Sequence, residues 1–392
     1  MDNRINPASG PLTGIKVIEL AGKGPTPFSG MLLSDMGAEV IRIDRVDQVG
    51  QDDPADPPRT LYDRGRRSIA IDLKNPRGSE AALRLIERSD VFIEGLRPGV
   101  MERLGLGPDR CFKRNPRLVY GRMTGWGQDG PYASHAGHDI NYIALAGALE
   151  HIGRVGEKPV PPLNLVGDFG GGALLLVIGV CGALLHARSS GEGQVVDAAM
   201  VDGAALLMTM FHAFTAMGIW RPERGTNLID SGAHFYEVYE TADHKYVAVG
   251  AIEPQFYREL LERIGLDGDA TFADQMDREN WPTLKVRLDQ LFRSRTRDQW
   301  CTILEYTDAC FAPVLSLTEA STHPHNKVRN TFTEVSEVIQ PSPAPRFSRT
   351  PSAIQRPPPR IGQHTAEILE NSGFNESEIG GLYRSGAVVQ CS

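Results

Sequence analysis

Residues 15–44 read IKVIELAGKGPTPFSGMLLSDMGAEVIRID, and this stretch decides the fold class. The β-branched runs at 15–20 and 39–44 predict strands, and the segment 28–37 between them predicts a helix. Further runs at 68–73, 91–94 and 118–122 predict strands, and the segment 76–89 predicts another helix. Strands that alternate with helices of this length form βαβ units, so we predict an α/β fold with a mostly parallel sheet.

The rest of the chain predicts a second, smaller domain and a C-terminal segment that returns to the first. A helix-rich stretch runs from 168 to 220, and strands at 234–241 and 246–250 open an α+β domain with helices at 255–264 and 281–292. Prolines are dense between 340 and 360, which indicates an extended linker, and 365–371 predicts an amphipathic helix. We expect a large domain at 1–203, a helical linker at 204–231, a small domain at 232–328, an extended linker at 329–360, and a segment at 361–392 that packs on the large domain.

Composition narrows the class of protein. The 392 residues carry a net charge of −8, and the basic residues are scattered, which argues against a nucleic-acid partner. Five cysteines without a C-x-x-C pair suggest neither a disulfide framework nor a zinc ribbon.

The start of the chain lacks the apolar core of a signal peptide, so we expect a cytoplasmic protein, with a peroxisome or mitochondrion as alternatives in a eukaryote. The apolar stretch 169–185 is short for a bilayer, which needs about 20 residues, and we expect a buried core helix and no membrane partner.

The loop after the first predicted strand has the outline of a dinucleotide site. Gly22 and Gly24 follow the strand, and Asp44 ends the next one. However, Pro25 and Pro27 stand where the binding helix should begin, and the third glycine is missing from its place. A structural turn or a different nucleotide-bearing ligand therefore explains this loop better than a nicotinamide cofactor.

Three acidic or basic side chains stand in unusual surroundings, and each has an ordinary alternative. Asp168 precedes three glycines and an apolar helix; it is either a helix N-cap or a base beside backbone that a ligand can approach closely. His138 is either an ordinary surface or core histidine or a functional one, and it lies in a small, polar and aromatic run that is unlike a core segment. The histidines of this chain show no closed metal-ligand set. Glu253 follows a strand and precedes Pro254, so by itself it is a helix-capping residue.

Two further groups admit both an ordinary and a functional reading. Arg45, Lys74, Arg97 and Arg103 fall near the ends of predicted strands, where they are either surface cations or phosphate ligands. Met200, Met208, Met210 and Met217 are either core residues or a flexible surface for an apolar ligand, and their sequence positions alone leave both readings open.

The sequence resembles the family III CoA-transferase superfamily from about residue 11 to 369. The motifs that carry the resemblance are PLTGIKVIEL (11–20), GWGQDGP (125–131), GHDINY (137–142), GEGQVVDAAMVD (191–202) and IGQHTAEIL (361–369). The resemblance implies a Rossmann-like large domain, a smaller domain and an interlocked homodimer. It also implies an acyl-CoA substrate, of which CoA is itself a part, and no separate cofactor or metal.

The racemase branch of this family implies roles for particular residues. Its catalytic histidine falls on His138, its aspartate on Asp168 and its supporting glutamate on Glu253. The family's CoA contacts map to Arg45, Ile71, Asp72, Leu73, Lys74, Gly95, Leu96, Arg97, Arg103, Gly137, Asp139, Ile140, Asn141 and Tyr142, the last five through the backbone of that run.

Chemistry on the α-carbon of a 2-methylacyl-CoA thioester fits these residues. Inversion needs a base on one face and a protonated acid on the other, and His138 and Asp168 supply one of each. The enolate oxygen needs donors, for which we expect the N–H groups at the helix start 168–170. The alternative is a family III CoA-transferase in which Asp168 is a nucleophile. Transferases typically carry a glycine-rich loop where this chain has 251–254, Ala-Ile-Glu-Pro.

Overall fold

A computed structural model describes residues 9–51 and 60–391 of the chain. These residues form two compact units. The first unit contains the described residues up to 146, then 163–207, and the chain from 325 onward; the second contains 147–162 and 208–324. The predicted large domain, 1–203, corresponds mostly to the first unit. Residues 147–162 of that range belong to the second unit instead, and residues 204–207, predicted as linker, belong to the first.

The described residues form twelve strands and fifteen α-helices. The strands are β1 (Lys16–Leu20), β2 (Glu39–Asp44), β3 (Arg66–Ile71), β4 (Val91–Glu94), β5 (Val119–Thr124), β6 (Gln194–Ala199), β7 (Tyr236–Glu240), β8 (Tyr246–Gly250), β9 (Phe311–Pro313), β10 (Phe332–Val335), β11 (Val338–Pro341) and β12 (Val388–Val389). The helices are α1 (Pro25–Asp35), α2 (Pro76–Glu87), α3 (Val100–Arg103), α4 (Pro108–Arg114), α5 (Asp139–Leu145), α6 (Leu174–Ser190), α7 (Met200–Leu207), α8 (Thr209–Ala216), α9 (Pro254–Ile264), α10 (Trp281–Phe292), α11 (Arg297–Leu304), α12 (Leu317–Thr322), α13 (Pro324–Arg329), α14 (Thr365–Asn371) and α15 (Glu376–Arg384). A π-helix, Leu165–Ala173, leads directly into α6.

The first unit is built on a seven-stranded sheet in the order β12-β3-β2-β1-β4-β5-β6. The pairs among β1 to β6 are parallel, and β12 pairs antiparallel with β3. Neighbouring side chains of a strand point to opposite faces, and here both faces are covered by helices. Ile18 packs on one face with residues of α2 and α14, and Val17 packs on the other with residues of α1 and α6. The predicted α/β fold with a mostly parallel sheet is confirmed.

Strands β1 and β5 differ from the predicted 15–20 and 118–122 by one or two residues at their ends, and two strands differ more. Strand β3 spans Arg66–Ile71 instead of 68–73, because its pairing with β2 already begins at Arg66. The guanidinium of Arg66 can be buried there since it forms an ion pair of 2.9 Å with the buried carboxylate of Glu19 on β1. Strand β6 lies in the stretch that was predicted to be rich in helices. It is the edge strand of the sheet, and its first residues are largely exposed, so they show no apolar run.

The apolar helix of the first unit packs with one face against the sheet. Leu176 and Val180 of α6 are fully buried beside β5 and β6. The opposite face leaves Leu174, Ile178 and Leu185 exposed. Among the described residues, the continuous span Leu165–Ser190 is the one helix long and apolar enough to cross a membrane.

The second unit has a three-stranded antiparallel sheet in the order β7-β8-β9. The predicted strand pair corresponds to β7 and β8, and the predicted helices correspond to α9 and α10. Its core is aromatic: Trp281 and Trp300 are buried, and their indole N–H groups donate to the backbone oxygens of Gln275 and Phe292 at 2.9 and 2.8 Å.

The proline-dense stretch after β11 contains no helix or strand up to α14, which begins at Thr365 as predicted. Gln355 fastens this stretch to the C-terminal end of α1 and the turn before β2, because its amide donates to the backbone oxygens of Ser34 and Ala38. Strand β12 then returns to the edge of the sheet beside β3.

Candidate active site

A cavity of about 570 Å³ opens in the first unit, where β1, β4 and β5 end. Ligands of open parallel sheets bind at these carboxyl ends. The described residues that line it are Lys23, Gly24, Pro25 and Thr26 after β1, Gly95, Leu96, Arg97 and Pro98 after β4, Met123, Thr124, Gly125 and Trp126 around the end of β5, and Ala133, His135, Ala136, Gly137, His138, Tyr142, Asp168 and Met200. The cavity thus contains both His138 and Asp168.

His138 stands at the start of α5, with extended backbone, as the residue before the first helical turn. The side-chain oxygen of Asn141 accepts the backbone N–H of His138 at 3.0 Å and so fixes this position. Gly137 is required beside it, since a Cβ there would lie 2.6 Å from the ring of Tyr142 and 2.9 Å from that of Trp126. The imidazole therefore sits on a helix start that is packed against two aromatic rings.

Asp168 lies in the first turn of the π-helix and is half-buried. The side-chain amide of Asn164 donates to its Oδ2 at 3.1 Å. Gly24 lies against the same oxygen, because a Cβ on Gly24 would be 3.3 Å from it. Burial raises the pKa of Asp168 and the neighbouring carboxylate of Asp139 raises it further, while Asn164 and His138 act in the opposite direction. A carboxyl group with a raised pKa is a stronger base than an ordinary aspartate, which suits it to proton transfer.

The ordinary alternative for Asp168, a helix N-cap, is wrong. The helix begins earlier, at Leu165, and its first part is a π-helix, a form that is frequent at functional sites. Two of the glycines that follow serve close packing. A Cβ on Gly171 would lie 2.7 Å from the backbone nitrogen of Ala204 in α7, and one on Gly172 would lie 2.8 Å from the Met200 side chain. These two glycines let α7 approach the π-helix closely. The sequence had suggested instead that they let a ligand approach the backbone.

The expected donors for an enolate oxygen also need correction. The N–H of Asp168 donates to Oδ2 of Asp139 at 2.8 Å, and the N–H of Gly167 donates to the same oxygen at 2.7 Å. The N–H of Asp168 is therefore already engaged. Tyr142 is buried beside these groups, and burial together with the charges of Asp168 and Asp139 raises its pKa to about 12, so its hydroxyl stays protonated.

The predicted CoA-binding residues divide into two groups. Gly95, Leu96, Arg97, Gly137 and Tyr142 line the cavity. The N–H of Leu96 donates at 2.7 Å to the buried carboxylate of Glu94, and burial raises the pKa of that carboxyl to about 7.

The second group lies away from the part of the cavity wall that the structure describes. Arg45 follows β2 and forms an ion pair with Asp47 on the surface, and Arg103 ends α3. The side chain of Ile71 is in the hydrophobic core, 1% exposed, so it is closed to a ligand. Asp72, Leu73 and Lys74 follow it, and the side chain of Asp72 accepts the N–H of Lys74 at 2.9 Å. Asp139, Ile140 and Asn141 continue α5 outside the cavity lining.

Glu253 lies in the second unit, directly before α9, where it is exposed and its side chain makes no capping hydrogen bond. Its support of His138 stays a prediction. Of the four methionines, Met200 lines the cavity, and Met208, Met210 and Met217 belong to the second unit.

Sequence reasoning missed several residues of the cavity. Lys23, Thr26 and Trp126 are in its wall, and Asn164 holds the Asp168 carboxylate. Their positions in the sequence could have indicated Lys23, Thr26 and Trp126, because each follows the end of a predicted parallel strand, where ligands of such sheets bind. Within 9–51 and 60–391, no three histidine, cysteine or acidic side chains come together in a way that would hold a metal ion.

Comparison with known proteins connects this cavity to a family. The sequence model of CoA-transferase family III matches residues 12–365. The alpha-methylacyl-CoA racemases of Mus musculus and Homo sapiens are each 45% identical to this chain, over 370 and 375 residues, and the alignments cover 94% of this chain and 95% of each relative. A probable fatty acyl-CoA transferase of Mycobacterium tuberculosis is 31% identical over 391 residues, which cover 93% of this chain and 98% of the relative. Its orthorhombic crystal structure matches with a TM-score of 0.75 and 29% identity, and covers 93% of this chain and 100% of that one.

Proposed function

The chain belongs to CoA-transferase family III, and we propose that it is an isomerase that interconverts the R and S forms of 2-methylacyl-CoA thioesters. The observation that carries this proposal is that one cavity contains the imidazole of His138 and the half-buried carboxyl group of Asp168. The 45% identity to two alpha-methylacyl-CoA racemases supports the same substrate class.

In this mechanism the two side chains work on opposite faces of the α-carbon. For one enantiomer, His138 takes the α-proton, the thioester becomes an enolate, and Asp168 donates a proton to the other face. For the other enantiomer the roles are exchanged, so each residue must act as acid and as base. The raised pKa of Asp168 suits it to both tasks, because the protonated and ionised forms are then both populated closer to neutral pH. The proton transfers are complete without a cofactor.

CoA would lie along the carboxyl ends of the strands. Arg97, in the cavity wall, is a cation that would bind a phosphate group of CoA. Arg45, Lys74 and Arg103 would hold the more distant phosphates at the edge of the same sheet. Glu253 would act through the imidazole of His138, by fixing its tautomer and supporting its protonated form.

The proposal includes a homodimer. Leu174, Ile178 and Leu185 are exposed and, by their spacing, lie on one face of α6, and Leu206 and Leu207 of α7 are exposed as well. Large apolar side chains exposed together on one helix face indicate an interface. Sedimentation equilibrium should give a dimer, and Ile178→Glu should shift it toward the monomer; a wild-type monomer at micromolar concentration would contradict this part.

The second candidate is a CoA-transferase in which Asp168 forms an acyl anhydride. It is favoured by the 31% identity to a probable fatty acyl-CoA transferase. Against it, residues 251–254 read Ala-Ile-Glu-Pro in the region where transferases typically have a glycine-rich loop. A transferase also has no use for a second proton-transfer group, whereas His138 shares the cavity with Asp168.

One experiment separates the two candidates. A single enantiomer of a 2-methylacyl-CoA is incubated with the protein in deuterium oxide, and NMR follows α-deuteration while chiral analysis follows optical purity. The racemase requires both to change, without CoA transfer to added carboxylic acids. Hydroxylamine added during turnover intercepts an acyl anhydride. If mass spectrometry found a hydroxamate on Asp168, the racemase proposal would be rejected in favour of the transferase.

A further inference from the structure

The carboxylate of Asp139 connects the two segments that carry His138 and Asp168. Asp139 follows His138 as the first residue of α5 and is 5% exposed. Its Oδ2 accepts the N–H of Gly167 at 2.7 Å and the N–H of Asp168 at 2.8 Å. Its other oxygen, Oδ1, is buried without a hydrogen-bond partner among the described residues. The side chain is therefore directed at the backbone of the π-helix, and Asp139 is absent from the described cavity wall.

The local sequence is arranged for this contact. The first N–H groups of any helix lack partners within the helix, and a carboxylate is a strong acceptor for them. Gly167 leaves the necessary space, because a Cβ there would lie 2.7 Å from Oδ2 of Asp139. Burying a carboxylate is costly unless hydrogen bonds satisfy it, so a residue that only had to fill space here would be apolar. The acidic residue is explained by the two N–H groups that it binds.

We propose that Asp139 is a positioning residue for the reaction: its carboxylate fastens the π-helical turn that carries Asp168 to the helix start that carries His138. This inference rests on the proposed racemase function, since only a reaction with two proton-transfer residues needs both segments in a fixed relation. It gives the side chain of Asp139 a role of its own, beside the CoA contact that the resemblance assigns to the backbone of 137–142. A displacement of about 1 Å in such a site can lower a rate about a hundredfold.

The charge of Asp139 adds a second effect that an experiment can isolate. The titratable groups that interact with the Asp168 carboxyl are Asp139, His138 and Tyr142. Asp139 raises the pKa of Asp168 through like-charge repulsion, and His138 lowers it. Removing the negative charge while keeping an acceptor oxygen should therefore lower the pKa of Asp168, and the limb of the pH–rate profile that reports this group should move to lower pH.

The test uses the full chain with Asp139→Asn, Asp139→Ala and the control Asp90→Ala. Asparagine keeps one oxygen for the two N–H groups, whereas alanine keeps none. Asp90 is a matched control because its carboxylate also accepts a backbone N–H, that of Lys16 at 2.8 Å, at the amino ends of the strands, opposite to the cavity. For each variant and each enantiomer of a 2-methylacyl-CoA, α-deuteration and inversion are measured separately, together with the dissociation constant of CoA.

We expect Asp139→Ala to lower inversion about a hundredfold, with the CoA dissociation constant within about threefold of the wild type. Deuteration should fall less than inversion for the enantiomer whose proton goes to His138, because a displaced Asp168 blocks the second transfer but not the first. Asp139→Asn should keep inversion within about tenfold and shift the pH profile downward, and Asp90→Ala should match the wild type.

Three results would overturn the inference. One is inversion by Asp139→Ala within about threefold of the wild type. Another is a loss of CoA affinity that equals the loss of rate, which would assign the side chain of Asp139 to CoA binding. The third is an Asp139→Asn variant with an unchanged pH profile and a rate as low as that of Asp139→Ala. If the wild type itself neither deuterates nor inverts the substrate, the proposed function fails and not this inference alone.

Discussion

Replacing Gly203 by alanine should force α7 away from the π-helix that carries Asp168. The two elements cross in close backbone contact at Gly203 and Gly171. A Cβ on Gly203 would lie 1.8 Å from the backbone oxygen of Gly171, 2.5 Å from its carbonyl carbon and 2.7 Å from its Cα. These neighbours are backbone atoms, which cannot rotate aside as a side chain could, so one of the two elements must move.

The size of the effect follows from these distances. Ordinary contacts of a Cβ begin at 3.4 Å, so the gap must open by about 1.6 Å, an overpacking of the kind that costs about 1–3 kcal/mol. We expect the upper part of that range, because the clash is with backbone on a helix that is itself held by Asp139. A shift larger than about 1 Å at Asp168 should also lower the inversion rate at least about a hundredfold.

Urea unfolding followed by circular dichroism measures the first effect, and NMR of substrate inversion measures the second. Gly381→Ala is the matched control, since Gly381 lies inside α15 and a Cβ there would meet only Arg77 Nη1, at 3.9 Å. Alanine is favoured over glycine in a helix by about 0.5–1 kcal/mol, so this variant should unfold at slightly higher urea and invert substrate normally. If Gly203→Ala unfolded at the wild-type urea concentration and kept the wild-type rate, the close crossing would not be what positions Asp168.

Four further outcomes test the site. His138→Ala should lower inversion by several orders of magnitude and leave CoA affinity, measured by calorimetry, nearly unchanged; retained inversion would contradict the two-base mechanism. Arg97→Ala should weaken CoA binding about tenfold, near 1.4 kcal/mol, with little change in the rate at saturating substrate, and an unchanged dissociation constant would remove Arg97 from the CoA site. Glu253→Gln should lower turnover and move the acid limb of the pH–rate profile. An unchanged profile would mean that Glu253 only precedes α9 and does not act on His138. Because burial raises the pKa of Asp168, acidification should protonate this base, and lower the rate that depends on it, at a higher pH than an exposed aspartate would allow.

The strands buried on both faces of the sheet could be predicted from sequence, because continuous apolar runs mark them. Strands β2 and β4 begin and end where their runs do. Strand β3 could not be bounded in this way, since it begins with Arg66, a residue that is buried because Glu19 of another strand neutralises it. Such a pairing between distant parts of the chain leaves no local pattern in the sequence.

The sequence pointed to residues of the candidate site, but not to the packing around them. His138 and Asp168 were identified and lie in one cavity. The roles of Gly171 and Gly172 were misassigned, because glycine beside an acid indicates equally a ligand that approaches the backbone and a helix that crosses it closely. Only the position of α7 distinguishes these two possibilities.

The distinction between racemase and transferase depends on what surrounds Asp168. A raised pKa lowers the fraction of carboxylate that could attack a thioester, yet the remaining carboxylate is more basic, so this property alone fits either reaction. The segment 137–142 favours the racemase over the transferase. It places the imidazole of His138 in the cavity and, through the next residue, binds the N–H of Asp168 itself. A nucleophile needs only its own orientation, whereas two bases that share one α-carbon need a fixed separation, and a direct link between their segments supplies it.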